Sequence, residues 1–196
     1  ILQNRCGNKM TALFYKEHAE LEIVYKPNAY RRKEYFARNF SNRDIYTVLF
    51  KELRIIDIKP EYIRSFDYDP FVTKVFLESH TGARNTLTFI NVVDENCFAI
   101  SATSPLTIAF KPRKEFITED GLLYEKFIDR GEEIVSFVLF GSYLENRFRL
   151  LDNGTYVLQI TENDMIYFGG EENIYQVRRL AGKLKAYTLD ELISYS

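Results

Sequence analysis

The sequence predicts a mainly β protein, a large antiparallel β-sandwich with a short helical tail at its C-terminus. Three observations predict it. Short runs of β-branched and aromatic residues recur at about 8–12-residue spacing with turn residues between them. Asp152-Asn153-Gly154 separates two such runs, and Asn-Gly supplies the positive φ angles that a tight hairpin requires. Helical periodicity is confined to the end of the chain, so the strand–helix alternation of a doubly wound parallel sheet is missing.

Taken in order, Glu20, Glu22 and Val24 alternate with Leu21, Ile23 and Tyr25, a period of two. Tyr46–Ile58 is apolar on both parities and predicts a long strand covered on both faces. Further strands are expected over Phe71–Glu78, Asn85–Val93, Cys97–Thr103, Leu106–Lys111, Gly121–Ile128, Ile134–Phe140, Arg147–Leu151, Thr155–Ile160 and Met165–Phe168, from residue types that fit a pleated surface. Asp94-Glu95-Asn96, Asp120-Gly121 and Arg130-Gly131 punctuate them. After Gly169-Gly170, the residues Ile174, Val177, Leu180, Ala181 and Leu184 fall at helical spacing. Thr188-Leu189-Asp190-Glu191 then matches a capping box, in which Thr satisfies a free backbone N–H and Glu reaches back to the cap residue. Residues 1–9 read as a leader or remnant ahead of a start at Met10, residues 10–170 as the sandwich, and residues 171–196 as a helical linker cut short of a following domain.

Composition narrows the function classes. Net charge is −2 over 196 residues, so the basic footprint of a nucleic-acid binder is absent. With 14 Tyr and 16 Phe the chain can build a core, and disorder is ruled out. No apolar run approaches the roughly 18 residues of a membrane-spanning helix, and residues 1–9 lack a signal peptide's apolar stretch. No membrane role is expected, and a cytoplasmic location is. Cys6 and Cys97 make no disulfide framework, and Cys97 reads as a small buried hydrophobe. Asn39-Phe40-Ser41 and Asn153-Gly154-Thr155 fit the glycosylation pattern, but the second is better explained as a turn.

The residues that carry chemistry are few. His18 sits among charges and reads as a solvated surface residue. His80 lies in a loop after a strand, a position that often carries function. A triad of Ser79, His80 and Asp94 is disfavoured, because adjacent residues point different ways and no nucleophile-elbow pattern surrounds the serine. Zinc has no ligand set. Thr161-Glu162-Asn163-Asp164 and Glu171-Glu172-Asn173 offer oxygens of the calcium-binding kind but read as polar turns. No phosphate-binding glycine loop is present, and no cofactor is expected. The carboxylate pairs Asp67/Asp69, Glu119/Asp120, Glu132/Glu133 and Glu171/Glu172 are neighbours in sequence, whereas sugar hydrolysis needs two carboxylates facing across a cleft.

Aromatic residues beside polar groups are the remaining handle. Tyr30 and Tyr35 lie next to Arg31, Arg32 and Lys33, while Tyr62, Phe66 and Tyr68 surround Asp67 and Asp69. Such faces stack on sugar rings or single-stranded bases. With His80, these five aromatics are the candidate ligand-binding residues, with an oligosaccharide as the candidate ligand.

The segments Ser104-Pro105-Leu106-Thr107-Ile108, Arg130-Gly131-Glu132-Glu133-Ile134-Val135-Ser136-Phe137-Val138-Leu139 and Thr188-Leu189-Asp190-Glu191-Leu192-Ile193 follow one another in an order that resembles the N-terminal β-sandwich of six-hairpin glycosidases. That group includes glucoamylase-like, trehalase-like and glycogen-debranching enzymes. The resemblance implies a super-sandwich-like domain leading through a helical linker into an (α/α)6 barrel that holds the catalytic acid and base. It transfers no catalytic residue to this sequence, because the barrel segment is not in it. The implied role is non-catalytic: supporting the downstream catalytic domain of the same polypeptide and rimming its cleft. An exposed apolar patch is then expected where the tail helix and some sandwich aromatics meet that domain. A free-standing glycan- or protein-binding module is the alternative reading.

Overall fold

The computed structural model describes residues 2–6, 10–15, 20–25, 47–69, 71–129, 131–140, 142–162 and 164–184. Among the described residues the chain forms a mainly β structure of two antiparallel sheets followed by one α-helix. The first sheet is built from β1 (Leu2–Cys6), β2 (Met10–Tyr15), β3 (Glu20–Tyr25), β4 (Thr47–Val48), β5 (Glu52–Ile55), β10 (Leu106–Lys111), β14 (Phe148–Leu150) and β15 (Tyr156–Ile160). The second contains β6 (Ile63–Tyr68), β7 (Val72–Glu78), β8 (Arg84–Asn91), β9 (Cys97–Ala102), β11 (Ile117–Glu119), β12 (Leu122–Asp129), β13 (Glu132–Leu139) and β16 (Ile166–Glu171). Their orders are β1-β2-β3-β5-β10-β15-β14, with β4 beside β3, and β11-β12-β13-β16-β9-β8-β7-β6.

The main core lies between the sheets and is aromatic. Phe110 stacks on Tyr156, with ring centroids 5.7 Å apart, and meets Phe168 edge-on at 5.6 Å, while Phe98 stacks on Phe168 at 5.9 Å. The outer face of the second sheet is buried as well. Helix α1 (Ile174–Leu184) lays Ile174, Val177, Leu180 and Leu184 into one cluster with Val135, Phe137, Leu139 and Tyr167. The centre of that sheet is therefore covered on both sides, and every residue of β9 and β16 is buried. No helix among the described residues is long and apolar enough to cross a membrane.

Several local expectations hold. Gly154 takes φ 84°, its N–H donates to the Leu151 carbonyl, and Asn153 Oδ1 accepts from Thr155 N, so this segment is the expected turn. The periodic tail helix spans Ile174–Leu184, and Asn173 Oδ1 caps it by accepting from Gln176 N. The Thr188–Glu191 capping box lies outside the described residues, as do Asn39–Ser41 and His18.

Other expectations need correction. Tyr46–Ile58 is not one doubly covered strand: among its described residues β4 and β5 flank an irregular step, and Val48 and Ile56 face solvent. The doubly covered strands are β9 and β16. Leu2–Cys6, ahead of the expected start at Met10, forms β1, which pairs with β2 from Leu2↔Phe14 to Cys6↔Met10. The strand expected over Met165–Phe168 runs on through Gly169-Gly170 to Glu171. A Cβ on Gly169 would strike the Asn96 carbonyl and come within 2.7 Å of Cys97 and Phe137, so close packing, not a turn, requires glycine there.

Candidate functional site

The structure splits the residues singled out by sequence. Tyr30 and Tyr35 lie outside the described residues. Tyr62 and His80 come together: Tyr62 closes the short turn Pro60–Tyr62, and its ring meets His80 edge-on, with centroids 5.0 Å apart. Lys59 Nζ sits 5.7 Å from the Tyr62 ring centroid. Phe66 packs against the intersheet core, and Tyr68 stands half-exposed at the far end of β6, about 20 Å along the strand from Tyr62. The four described residues therefore form no single groove. The trio Lys59–Tyr62–His80 pins one loop to another, with an exposed cation–π contact of about 0.5–1 kcal/mol. Ser79 Oγ accepts from Ala83 N and lies 2.9 Å from Thr81 Oγ1, so it serves the same turn.

The acidic residues mostly serve as straps. Glu95, in the β8–β9 turn, is buried and accepts from Arg179 Nη1 and Nη2 at 3.2 and 3.0 Å and from Lys183 Nζ at 3.0 Å. Burial pushes its carboxyl up, and the hydrogen bonds and charges of Arg179 and Lys183 outweigh that, holding it below the ordinary carboxylate value. Glu119 receives both arms of Arg178, at 2.5 and 3.2 Å, and this bond is the main reason its carboxyl is also held low. Both carboxylates hold α1, Glu119 from β11 and Glu95 from the β8–β9 turn. Glu125, a buried residue of β12, accepts from the backbone N–H groups of Arg113 and Lys114 at 2.7 and 2.6 Å. Asp164 is likewise buried: burial raises its carboxyl, but Thr161 N, Thr161 Oγ1 and Arg147 Nη1 all donate to it and hold it low. Asp164 thus ties its own turn together, in keeping with the polar-turn reading of this segment. Among the described residues, no group of three His, Cys, Asp or Glu side chains could hold a metal ion.

One concave feature was not evident from sequence. Leu49 N–H donates to the Ile23 carbonyl of β3, yet two residues later Lys51 N–H donates to the Lys111 carbonyl of β10. The chain thus changes partner between β4 and β5, and β3 pairs with β5 at Glu20↔Arg54 alone. The ladder opens at Leu21–Glu22, leaving a cleft of about 170 Å³ in the outer face of the first sheet. Leu21, Phe50 and Leu53 form its floor, with 4–6% of each exposed. Glu20, Glu22 and Glu52 rim it together with Lys51 and Arg54, and Tyr15 and Val48 also line it. Arg54 Nε lies 2.7 Å from Glu52 Oε1, and Tyr15 Oη lies 3.5 Å from Glu22 Oε1. The arrangement offers hydrogen-bond acceptors and donors around a small apolar floor. The alternation of Glu20 and Glu22 was legible in the sequence, but the interrupted ladder that brings Glu52 and Arg54 beside them was not.

No protein-family model matches this chain, and no curated protein matches it.

Proposed function

We propose that this chain is a non-catalytic β-sandwich domain of a carbohydrate-active enzyme, a glycoside hydrolase, and that it packs against a downstream helical barrel and rims its active site. The disposition of the carboxylates carries the non-catalytic half of the reading. Glu95, Glu119, Glu125 and Asp164 are each held by hydrogen bonds that fix a helix or a turn. General acid–base work needs a carboxyl within reach of a substrate proton, and these four are engaged with the fold itself. The packing half is supported by the surface beside α1. Ile117 and Ile128 share the helix-bearing face of the second sheet with Tyr124 through register and strand parity, and they are 50% and 76% exposed. Tyr175 on α1 is 76% exposed. The apolar stripe of α1 itself is already spent on its own sheet, so the surface for a neighbouring domain is this rim and not the stripe. The glycosidase parentage rests on the resemblance of residues 104–108, 130–139 and 188–193.

The test is the intact mass of the native gene product, with hydrolysis of α-linked glucans assayed on the full-length protein and on this chain. The expected result is a mass well above 23.1 kDa, with activity in the full-length protein alone. A mass near 23.1 kDa would overturn the accessory-domain reading in favour of a free-standing binding module. Hydrolysis by the isolated chain would overturn the non-catalytic one.

A further inference from the structure

The cleft between β3 and β5 takes part in none of the straps that hold α1. We propose that it binds one neutral polyhydroxyl ring of monosaccharide size. The proposal deepens the carbohydrate reading above and rests on it for the choice of sugars, while the argument for the site comes from the cleft.

The floor and rim differ in kind. Leu21, Phe50 and Leu53 belong to the intersheet core and expose only small apolar areas at the bottom of the cleft. A pyranose has a matching shape, with an apolar C–H face and hydroxyls around its edge. Glu20, Glu22 and Glu52 accept from hydroxyls, and Lys51 and Arg54 donate to hydroxyl oxygens. Charge argues for a neutral ligand. An anion would face three carboxylates, and a cation would face Lys51 and the Arg54 guanidinium already bound to Glu52. Size argues for a single ring: about 170 Å³ is below the roughly 300–1,000 Å³ of pockets for drug-sized ligands. Glu20, Glu22, Glu52 and Arg54 stand on paired strands and the Lys51 N–H is tied to the Lys111 carbonyl, so the site is formed before a ligand arrives.

The experiment is a ¹⁵N-resolved NMR titration of the whole 196-residue chain with D-glucose, D-galactose, maltose and D-glucosamine. Shifts are expected at Glu20–Glu22 and Lys51–Arg54 for a neutral sugar, with a dissociation constant on the order of 1 mM. The double variant Glu20→Gln/Glu22→Gln changes outward-facing strand residues, so its thermal melt should match wild type while its affinity falls about tenfold. Tyr62→Ala should leave binding unchanged. Silence at the cleft with every neutral sugar overturns the proposal, as does undiminished binding by the double variant. A stronger response to D-glucosamine than to D-glucose overturns the neutral assignment. None of these three failures touches the accessory-domain reading, which the native mass decides. Sugar binding together with a native mass near 23.1 kDa would keep the site and sink that reading.

Discussion

Glu95→Gln should loosen α1 in a pH-dependent way. The wild-type carboxylate is buried and meets three charge-assisted donors on α1, whereas Gln offers one neutral acceptor and leaves Arg179 and Lys183 without their counter-charge. Hydrogen bonds to charged groups contribute about 1.5–3 kcal/mol each when well shielded. Here the cations are half in water, with side-chain exposures of 51% and 40%, so solvent replaces much of what they lose. The expected cost is therefore about 1–2 kcal/mol, a fall in melting temperature of about 2–8 °C for a chain of this size. The folded-state carboxyl is held below its ordinary value of 4.5, so its contribution is complete above that value and is lost as pH falls through the depressed one. Thermal melts of wild type and variant should differ by a constant amount between pH 8 and pH 5.5, and the gap should narrow as pH drops below about 4.5. Glu119 and Asp164 also lose their stabilisation in that acid range, but they do so in both proteins and cancel in the difference. A gap that persists unchanged to pH 3, or one absent at pH 7, would refute the strap.

Three further expectations concern packing. Leu180→Ala, at a fully buried position of α1, should cost about 2–5 kcal/mol in urea unfolding and exceed the loss from Glu95→Gln, because the apolar stripe outweighs the ion pairs. Gly169→Ala should reduce folded yield far more than Gly170→Ala. At Gly169 the new methyl meets the Asn96 backbone carbonyl, whereas at Gly170 it meets the end of the Leu49 side chain at 2.7 Å, which can give way; equal yields would contradict this. Ser136 is completely buried, and no group among the described residues hydrogen-bonds its hydroxyl, so Ser136→Ala should be neutral or stabilising by up to about 1 kcal/mol by denaturant melt. A clear loss would point to a partner for that hydroxyl.

The fold was legible where one physical signal acted alone. Asn153-Gly154 gives a tight turn because glycine takes the positive φ, and the 174–184 stripe gives a helix because its apolar residues recur on one face. The misreadings occurred where two signals overlapped. β6 was missed because a bulge between Ile63 and Ser65 shifts its register and breaks the alternation. The strand expected over Met165–Phe168 stops short of Gly169-Gly170, and only the neighbours pressing on that pair from Asn96, Cys97 and Leu49 show that it belongs to the packed strand. Tyr62 and His80 were both identified, but their contact joins two loops across β6 and β7. Glu95 and Asp164 looked like ordinary turn carboxylates, since nothing local distinguishes a solvated acid from one that an arginine reaches from 17 or 84 residues away.

By itself the sequence determined the class of structure: strands from β-branched and aromatic runs, hairpins from turn residues, and one terminal helix from its periodicity. These depend on interactions between residues close along the chain, which spacing and residue type record directly. The tertiary structure alone decided the strand order, the use of α1 to cover its own second sheet, the locking of the buried carboxylates, and the cleft where β4 gives way to β5. Each depends on which distant segments meet, and the chain between them carries no local trace of that choice.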